Sequence, residues 1–286
     1  MRKSSILIIL ATLFTLNLLV WLAVLELDQT QYLEVTFFDV GQGDSIFIET
    51  PSGHQILIDG GPDSTVLEKL GREMPFYDRT IDLIILTHPE HDHFSGLLEV
   101  LKRYRVENIL WTGVVRDTAE YREWVELIQA EEANIYIAEA GQRIETGQMS
   151  VDILYPFENM ADEFVKDANN TSIVARLIFG ENSFLFTGDI IQSLEKEIMQ
   201  SKAKVDSDVL KVGHHGSKTS TSLEFLNEVS PEIAVIQVGQ DNSYGHPAEE
   251  TLASLANYGI KVLRTDLNKD IKILCNLQSL RLVFRD

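Results

Sequence analysis

The sequence predicts an α/β protein: one four-layer αββα sandwich preceded by a single N-terminal transmembrane helix. Three observations carry that expectation. Two β-rich halves follow one another, each with helical stretches interspersed. After the apolar N-terminus, no Pro- or Ser-rich linker, low-complexity tract or short repeat separates them. A length of 286 residues, 44% hydrophobic and 24% charged, suits one large domain with a substantial core.

At the N-terminus, Arg2 and Lys3 precede an apolar run from Ile6 to Leu25, broken only by Thr12, Thr15 and Asn17. About 20 residues, each rising about 1.5 Å, span a bilayer core. A cleaved signal peptide has a shorter apolar core of about 7–15 residues and a small-residue cleavage site. The run is therefore read as an uncleaved anchor, with secretion after cleavage as the alternative. Arg2 and Lys3 on one flank, against Glu26 and Asp28 on the other, place the N-terminus inside. The expected division is residues 1–27 as anchor, 28–32 as tether and 33–286 as one globular domain, held at the cell membrane and facing outward.

The domain opens with strands. Residues 33–39 are rich in β-formers and end at the glycine-punctuated turn Val40-Gly41-Gln42-Gly43-Asp44. Residues 45–49 and 55–59 flank Pro51-Ser52-Gly53 as a hairpin, and a helix is expected over 64–74. The branched run 81–86 reads as a buried strand. Helices follow over 95–105 and 118–132, with strands at 108–111, 134–138 and 149–154. A second hairpin, 172–179 with 183–186, runs into Thr187-Gly188-Asp189. A helix over 190–201 leads to strand 208–212, which ends in Gly213-His214-His215-Gly216. Helix 221–228, strand 233–238, loop 239–247, helix 248–257 and strands 261–264, 270–275 and 280–285 close the chain.

The chemistry gathers after the buried strand, in Thr87-His88-Pro89-Glu90-His91-Asp92-His93. Imidazoles and carboxylates bind zinc, manganese or iron, and strand ends in α/β folds are where sites form. The formal net charge of −20 argues against general coating of nucleic acid, although one site with metals and local lysines could still take such a substrate. The only cysteine, Cys275, excludes an intramolecular disulfide and a cysteine-based zinc site.

His-x-Glu-x-Asp-His after a strand, with Asp59-Gly-Gly upstream and Thr-Gly-Asp189 and Gly-His214-His215-Gly downstream, resembles the metallo-β-lactamase superfamily. More narrowly, Asp-Val-Gly-Gln-Gly-Asp-Ser, Leu-Lys-Val-Gly-His-His-Gly-Ser-Lys-Thr-Ser and Asn242-Ser-Tyr-Gly-His-Pro247 resemble the hydrolase domain of ComEC-type competence DNA-uptake proteins. The resemblance runs from about residue 33 to the C-terminus; the many-helix channel of that family has no counterpart in the chain.

The resemblance implies a metallo-β-lactamase-like domain with two divalent ions, manganese or zinc, with magnesium a further option. The implied ligands are His88, Glu90, Asp92, His93, the bridging carboxylate Asp189, and His214. His215 is read as the substrate or proton-transfer group, and the roles of His214 and His215 could be exchanged. Asn170 stands near a position that is usually histidine, as a weak ligand or a plain turn residue. Glu90 in place of an imidazole makes the first metal position richer in oxygen and tilts it toward manganese or magnesium. Asp59 should orient ligands, Asp44 orients ligands or stabilises its turn, and His91 points away.

Two cations lower the pKa of a bridging water and neutralise a phosphoryl oxygen. Asp92, His215, Lys218 and His246 form the expected catalytic set, the last three acting on the leaving oxygen. The implied substrate is DNA or another phosphodiester, with a separate channel protein as a possible partner. Hydrolysis of another envelope ester, or a non-catalytic metal-binding adaptor, are the alternatives.

Overall fold

The structure, a computed structural model, describes residues 3–27 and 32–283. Most of the expected tether (28–31) and the end of the expected domain (284–286) lie outside the described residues. The first helix, α1 (Lys3–Leu27), contains the window Ser4–Trp21, with a mean hydropathy of 2.1 and no buried residue. It is long and apolar enough to cross a membrane, a property that anchors and signal sequences share.

β1 (Leu33–Phe37), β2 (Ile46–Glu49) and β3 (Gln55–Ile58) pair antiparallel in sequence. After α2 (Thr65–Glu73), β4 (Thr80–Ile85) joins β3 in parallel. α3 (His91–Leu101), β5 (Arg105–Trp111), α4 (Ala119–Ala130) and β6 (Asn134–Ile137) continue the parallel run. A second sheet begins with the antiparallel strands β7 (Arg143–Thr146), β8 (Met149–Tyr155), β9 (Val174–Phe179) and β10 (Asn182–Phe186). It continues in parallel through α5 (Gln192–Gln200), β11 (Val209–Lys211), α6 (Leu223–Val229), β12 (Ile233–Ile236), α7 (Glu249–Asn257) and β13 (Lys261–Arg264). After the short α8 (Thr265–Asn268), β14 (Ile271–Cys275) and β15 (Leu280–Val283) return to the edge of the first sheet beside β1.

Strand alternation produces the layers. Val35, Phe37, Ile46, Ile48 and Ile58 face inward and meet Val151, Ile153, Leu177, Phe184 and Phe186 of the second sheet. Their neighbours Phe47, Leu57 and Ile84 face outward, under Leu70, Phe94, Leu97 and Trp124 of α2, α3 and α4. On the far side Leu185, Leu210 and Ala234 pack under Leu194, Ile198, Phe225 and Leu255. Both faces of each sheet are thus covered, giving the αββα order the sequence predicts, in an eight-stranded and a seven-stranded sheet.

Several local differences emerge, among them the following. α3 begins at His91, four residues before the expected start, so the polar cluster forms a helical first turn rather than a loop. β5 begins at Arg105 instead of 108. β7, which the pattern did not suggest, is an edge strand of alternating exposed residues with little apolar signal.

Candidate metal centre

The polar residues meet where the parallel strands β3, β4, β10 and β11 end, at the carboxyl edge of both sheets. Asp59 follows β3 in a left-handed backbone conformation (φ 57°). Gly60 and Gly96 let α3 pack against this turn, since a Cβ on Gly96 would lie 2.0 Å from the Gly60 carbonyl oxygen. The Gly60 amide donates to the His93 carbonyl at 2.6 Å, which locks the first turn of α3 onto the strand end.

Each buried ring has one nitrogen anchored and the other bare. His93 Nδ1 donates to Asp59 Oδ2 at 2.9 Å, while Nε2 lies 3.3 Å from Asp189 Oδ2. His215 Nδ1 donates to the Gln237 carbonyl at 2.9 Å, and its Nε2 lies 3.3 Å from both Asp92 Oδ2 and Asp189 Oδ2. His88 Nδ1 contacts Thr87 Oγ1 at 3.0 Å and Ser172 Oγ at 3.2 Å. Thr87 Oγ1 already donates to Asp59 and Ser172 Oγ to the Asn169 carbonyl, so the proton between them and His88 belongs to the ring. His88 Nε2 therefore carries a lone pair. Anchoring Nδ1 on a carbonyl or carboxylate and aiming Nε2 inward is how ligand histidines are oriented.

Buried atoms without a hydrogen-bond partner concentrate here: Asp44 Oδ1, His88 Nε2, His93 Nε2, Asp189 Oδ1, His214 Nδ1 and His215 Nε2. Native interiors rarely leave such groups unsatisfied. The sets His88/His93/Asp189 and Asp92/His93/His215 each bring three ligand atoms within 4.8 Å of one another. This mixed imidazole and carboxylate set fits a divalent metal ion.

The electrostatics agree. Burial opposes charge on His93 and His215, yet Asp189 and Asp44 override it and hold both rings well above the ordinary histidine pKa. Burial likewise opposes charge on Asp189, and the same two rings pull it well below the ordinary carboxylate value. The pocket favours a cation, which protons supply when no metal does. His88, by contrast, is pushed well below the ordinary value, first by burial and then by His93, and stays neutral.

Of the predicted residues, the fold brings together His88, Asp92, His93, Asp189 and His215. His214 lies at the edge, 26% exposed, with Nε2 4.0 Å from Asp189 Oδ2. The two adjacent histidines are thus arranged in the exchanged order, because both occupy left-handed backbone conformations (φ 48° and 51°) that send His215 inward. His246 is half-buried beside His214, ring centres 5.7 Å apart, with the exposed Tyr244 stacked on it at 5.9 Å.

Three residues are not brought in. Glu90 pairs with Arg116 through both oxygens, at 2.7 and 3.3 Å. The Asn170 amide oxygen accepts from the Ile191 amide at 3.3 Å. Lys218 is exposed on the following turn. His91, as expected, points away: it is 62% exposed and bonded to Glu120 and Ser95, each at 2.8 Å.

Sequence reasoning missed Lys211. Fully buried, its ammonium contacts Asp44 and lies 3.6 Å from Asp189 Oδ1, and it donates to the Gly188 carbonyl at 3.1 Å. The signal was a lone charge within an apolar strand, which demands a buried counter-ion.

A model of the metallo-β-lactamase superfamily matches residues 38–240. The chain belongs to this superfamily. It is therefore a metal-dependent hydrolase by family, and competence proteins are among its homologues. It is 34% identical to ComE operon protein 3 of Bacillus subtilis over 261 residues, which cover 84% of this chain and 32% of that protein. To competence protein ComA of Neisseria gonorrhoeae it is 34% identical over 239 residues, covering 82% and 31%. The chain thus spans about a third of the length of these curated relatives. The superfamily fold is also seen in YhfI from Bacillus subtilis, with a TM-score of 0.53 at 13% identity over 81% of this chain and 96% of that one, a likeness of fold alone.

Proposed function

We propose that this chain hydrolyses phosphodiesters, DNA foremost, at the outer face of a membrane to which α1 anchors it. The observation that carries this reading is the convergence of the bare His88, His93 and His215 nitrogens on Asp189. The competence homologues supply the reason to favour DNA.

A bound divalent ion would supply an activated water at neutral pH and a countercharge for a phosphoryl oxygen. The residues that would hold it are Asp92, His93, His215 and Asp189, with His88 beside them. Asp59 and the Gln237 carbonyl fix the His93 and His215 rings, so little reorganisation is left for the reaction. With His215 inside the cluster, proton transfer to the leaving oxygen falls to His214 and His246 at the rim. Burial pushes both below the ordinary histidine pKa, so their rings are neutral near pH 7 and would take a proton from water and pass it to the leaving oxygen. Lys218 stands beyond them as the exposed countercharge for a phosphate.

The net charge of −20 favours a second reading, a small diester or an envelope ester instead of a long polyanion. One experiment separates the two. Full-length protein in detergent is assayed on single-stranded DNA and on bis(p-nitrophenyl) phosphate with manganese, zinc or magnesium. Manganese-supported cleavage of both is expected, and cleavage of the small diester alone would favour the second reading. Hydrolysis of neither substrate with any of these ions sinks the phosphodiesterase reading. Orientation is checked by protease treatment of intact cells bearing a tag after residue 286, where full protection of the tag would reverse it.

A further inference from the structure

The donors around the centre are not shared evenly between two ion positions. Asp92 Oδ2, His93 Nε2, His215 Nε2 and Asp189 Oδ2 are linked by contacts of 3.3 Å. Ligand atoms about 2.0–2.2 Å from a common ion in a tetrahedral shell lie roughly 3.3–3.6 Å apart. Asp92, His93 and His215 also bring their ligand atoms within 4.8 Å of one another, so with Asp189 this side offers four donors. On the other side, His88 Nε2 reaches His93 and Asp189, both already committed to the first shell. The remaining Asp189 oxygen, Oδ1, also faces the Lys211 ammonium at 3.6 Å.

A third donor for the His88 side exists in the sequence and is diverted in space. Glu90 lies two residues from His88 and caps the start of α3, but Arg116 engages both of its oxygens. The Ala168 amide adds a third bond to Glu90 Oε1 at 3.2 Å, and Arg116 is itself tied to the Lys166 carbonyl at 2.7 Å. The Arg116 and Glu90 side chains are 13% and 28% exposed, so this charge-assisted pair is partly shielded from water.

We propose that the centre is asymmetric: Asp92, His93, His215 and Asp189 hold one ion tightly, while the position beside His88 stays weak because Arg116 withholds Glu90. Arg116 is thus a positioning residue that sets the ion count. The inference rests on the metal-centre reading above and departs from the expectation that Glu90 is itself a metal ligand.

The test counts ions and does not depend on activity. Full-length protein in detergent is stripped with a chelator and titrated with Mn2+ by calorimetry. Elemental analysis after desalting gives the number of ions retained. One ion per chain should survive desalting, with a second binding about 100-fold more weakly, the scale at which supporting groups tune metal affinity. Arg116→Gln should tighten the second ion by about tenfold or more, and adding Glu90→Gln should abolish that gain. Glu90→Gln alone, which leaves Arg116 in place and guards against misfolding of the arginine variant, should keep the first ion at parental affinity. Two ions of equal affinity in the parent would overturn the proposal and leave the metal centre standing. Loss of the tight ion in Glu90→Gln, or an unchanged second ion in a normally melting Arg116→Gln, would also overturn it. A parent that retains no ion would defeat the metal-centre reading itself.

Discussion

The two ends of the strands hold contrasting polar regions. At the carboxyl end lies the buried cluster around Asp189. At the opposite end a hollow of about 590 Å³ opens between the sheets, walled by Ile56, Leu83, Leu110, Ile144 and Ile153. A hollow of this volume falls within the range of ligand sites. Its polar rim, however, is already satisfied: Arg143 donates to Asp152 at 2.9 Å, Asn108 to the Asp82 carbonyl at 2.8 Å, and His54 meets Thr146 at 3.0 Å. The cluster is the reverse, with several buried donors and acceptors that have no hydrogen-bond partner. Unsatisfied convergence, more than volume, marks the chemistry.

The contrast can be tested hardest at its buried cation. Lys211→Met removes the ammonium that contacts Asp44 and leaves only the His93 and His215 rings facing that carboxylate, and removing one partner of a buried pair typically costs about 3–5 kcal/mol. The loss should appear in urea unfolding with a chelator present, because a bound metal would replace part of the missing charge. Arg143→Met, at the opposite end, removes an ion pair whose arginine is 51% exposed, and its unfolding curve should match the parent. Equal losses at the two ends would erase the distinction.

Function should divide the same way. Asp189→Asn removes the carboxylate that completes the His88/His93 set and lies 3.3 Å from His215 Nε2, and a turnover loss of at least about 100-fold, or about 2.7 kcal/mol, is expected. The asparagine variant should still fold, since Asp189 anchors its turn through its main-chain amide to Ser172 Oγ at 3.0 Å. A variant with full turnover and undiminished metal would remove Asp189 from the centre.

Much of this was legible in the sequence. The β-former-rich run at residues 33–39 and the hairpin of 45–49 with 55–59 announced strands, and the cluster from His88 to His93 announced convergent donors. Two kinds of information were not. Glu90 looks like a ligand because its partner, Arg116, is 26 residues away and nothing local announces the pairing. The order of His214 and His215 depends on two left-handed backbone conformations, which residues other than glycine seldom adopt and composition does not reveal. Lys211 was readable in principle, since a charge in a buried strand requires a partner.

The smallest expected effect lies within a single helical turn. His91 and His93 are two residues apart, yet α3 sends them to opposite sides, a helix advancing about 100° per residue. His93 is fully buried with Nδ1 on Asp59, while His91 is bonded to Glu120 and Ser95 at the surface. His91→Ala deletes only those exposed contacts, whose worth at the surface is about 0–1 kcal/mol. Turnover should fall by less than about tenfold, which corresponds to about 1.4 kcal/mol. Metal content measured by elemental analysis should equal that of the parent. If His91→Ala cost more turnover than Asp189→Asn, or emptied the tight ion position, the inward and outward faces of α3 would have been assigned the wrong way round.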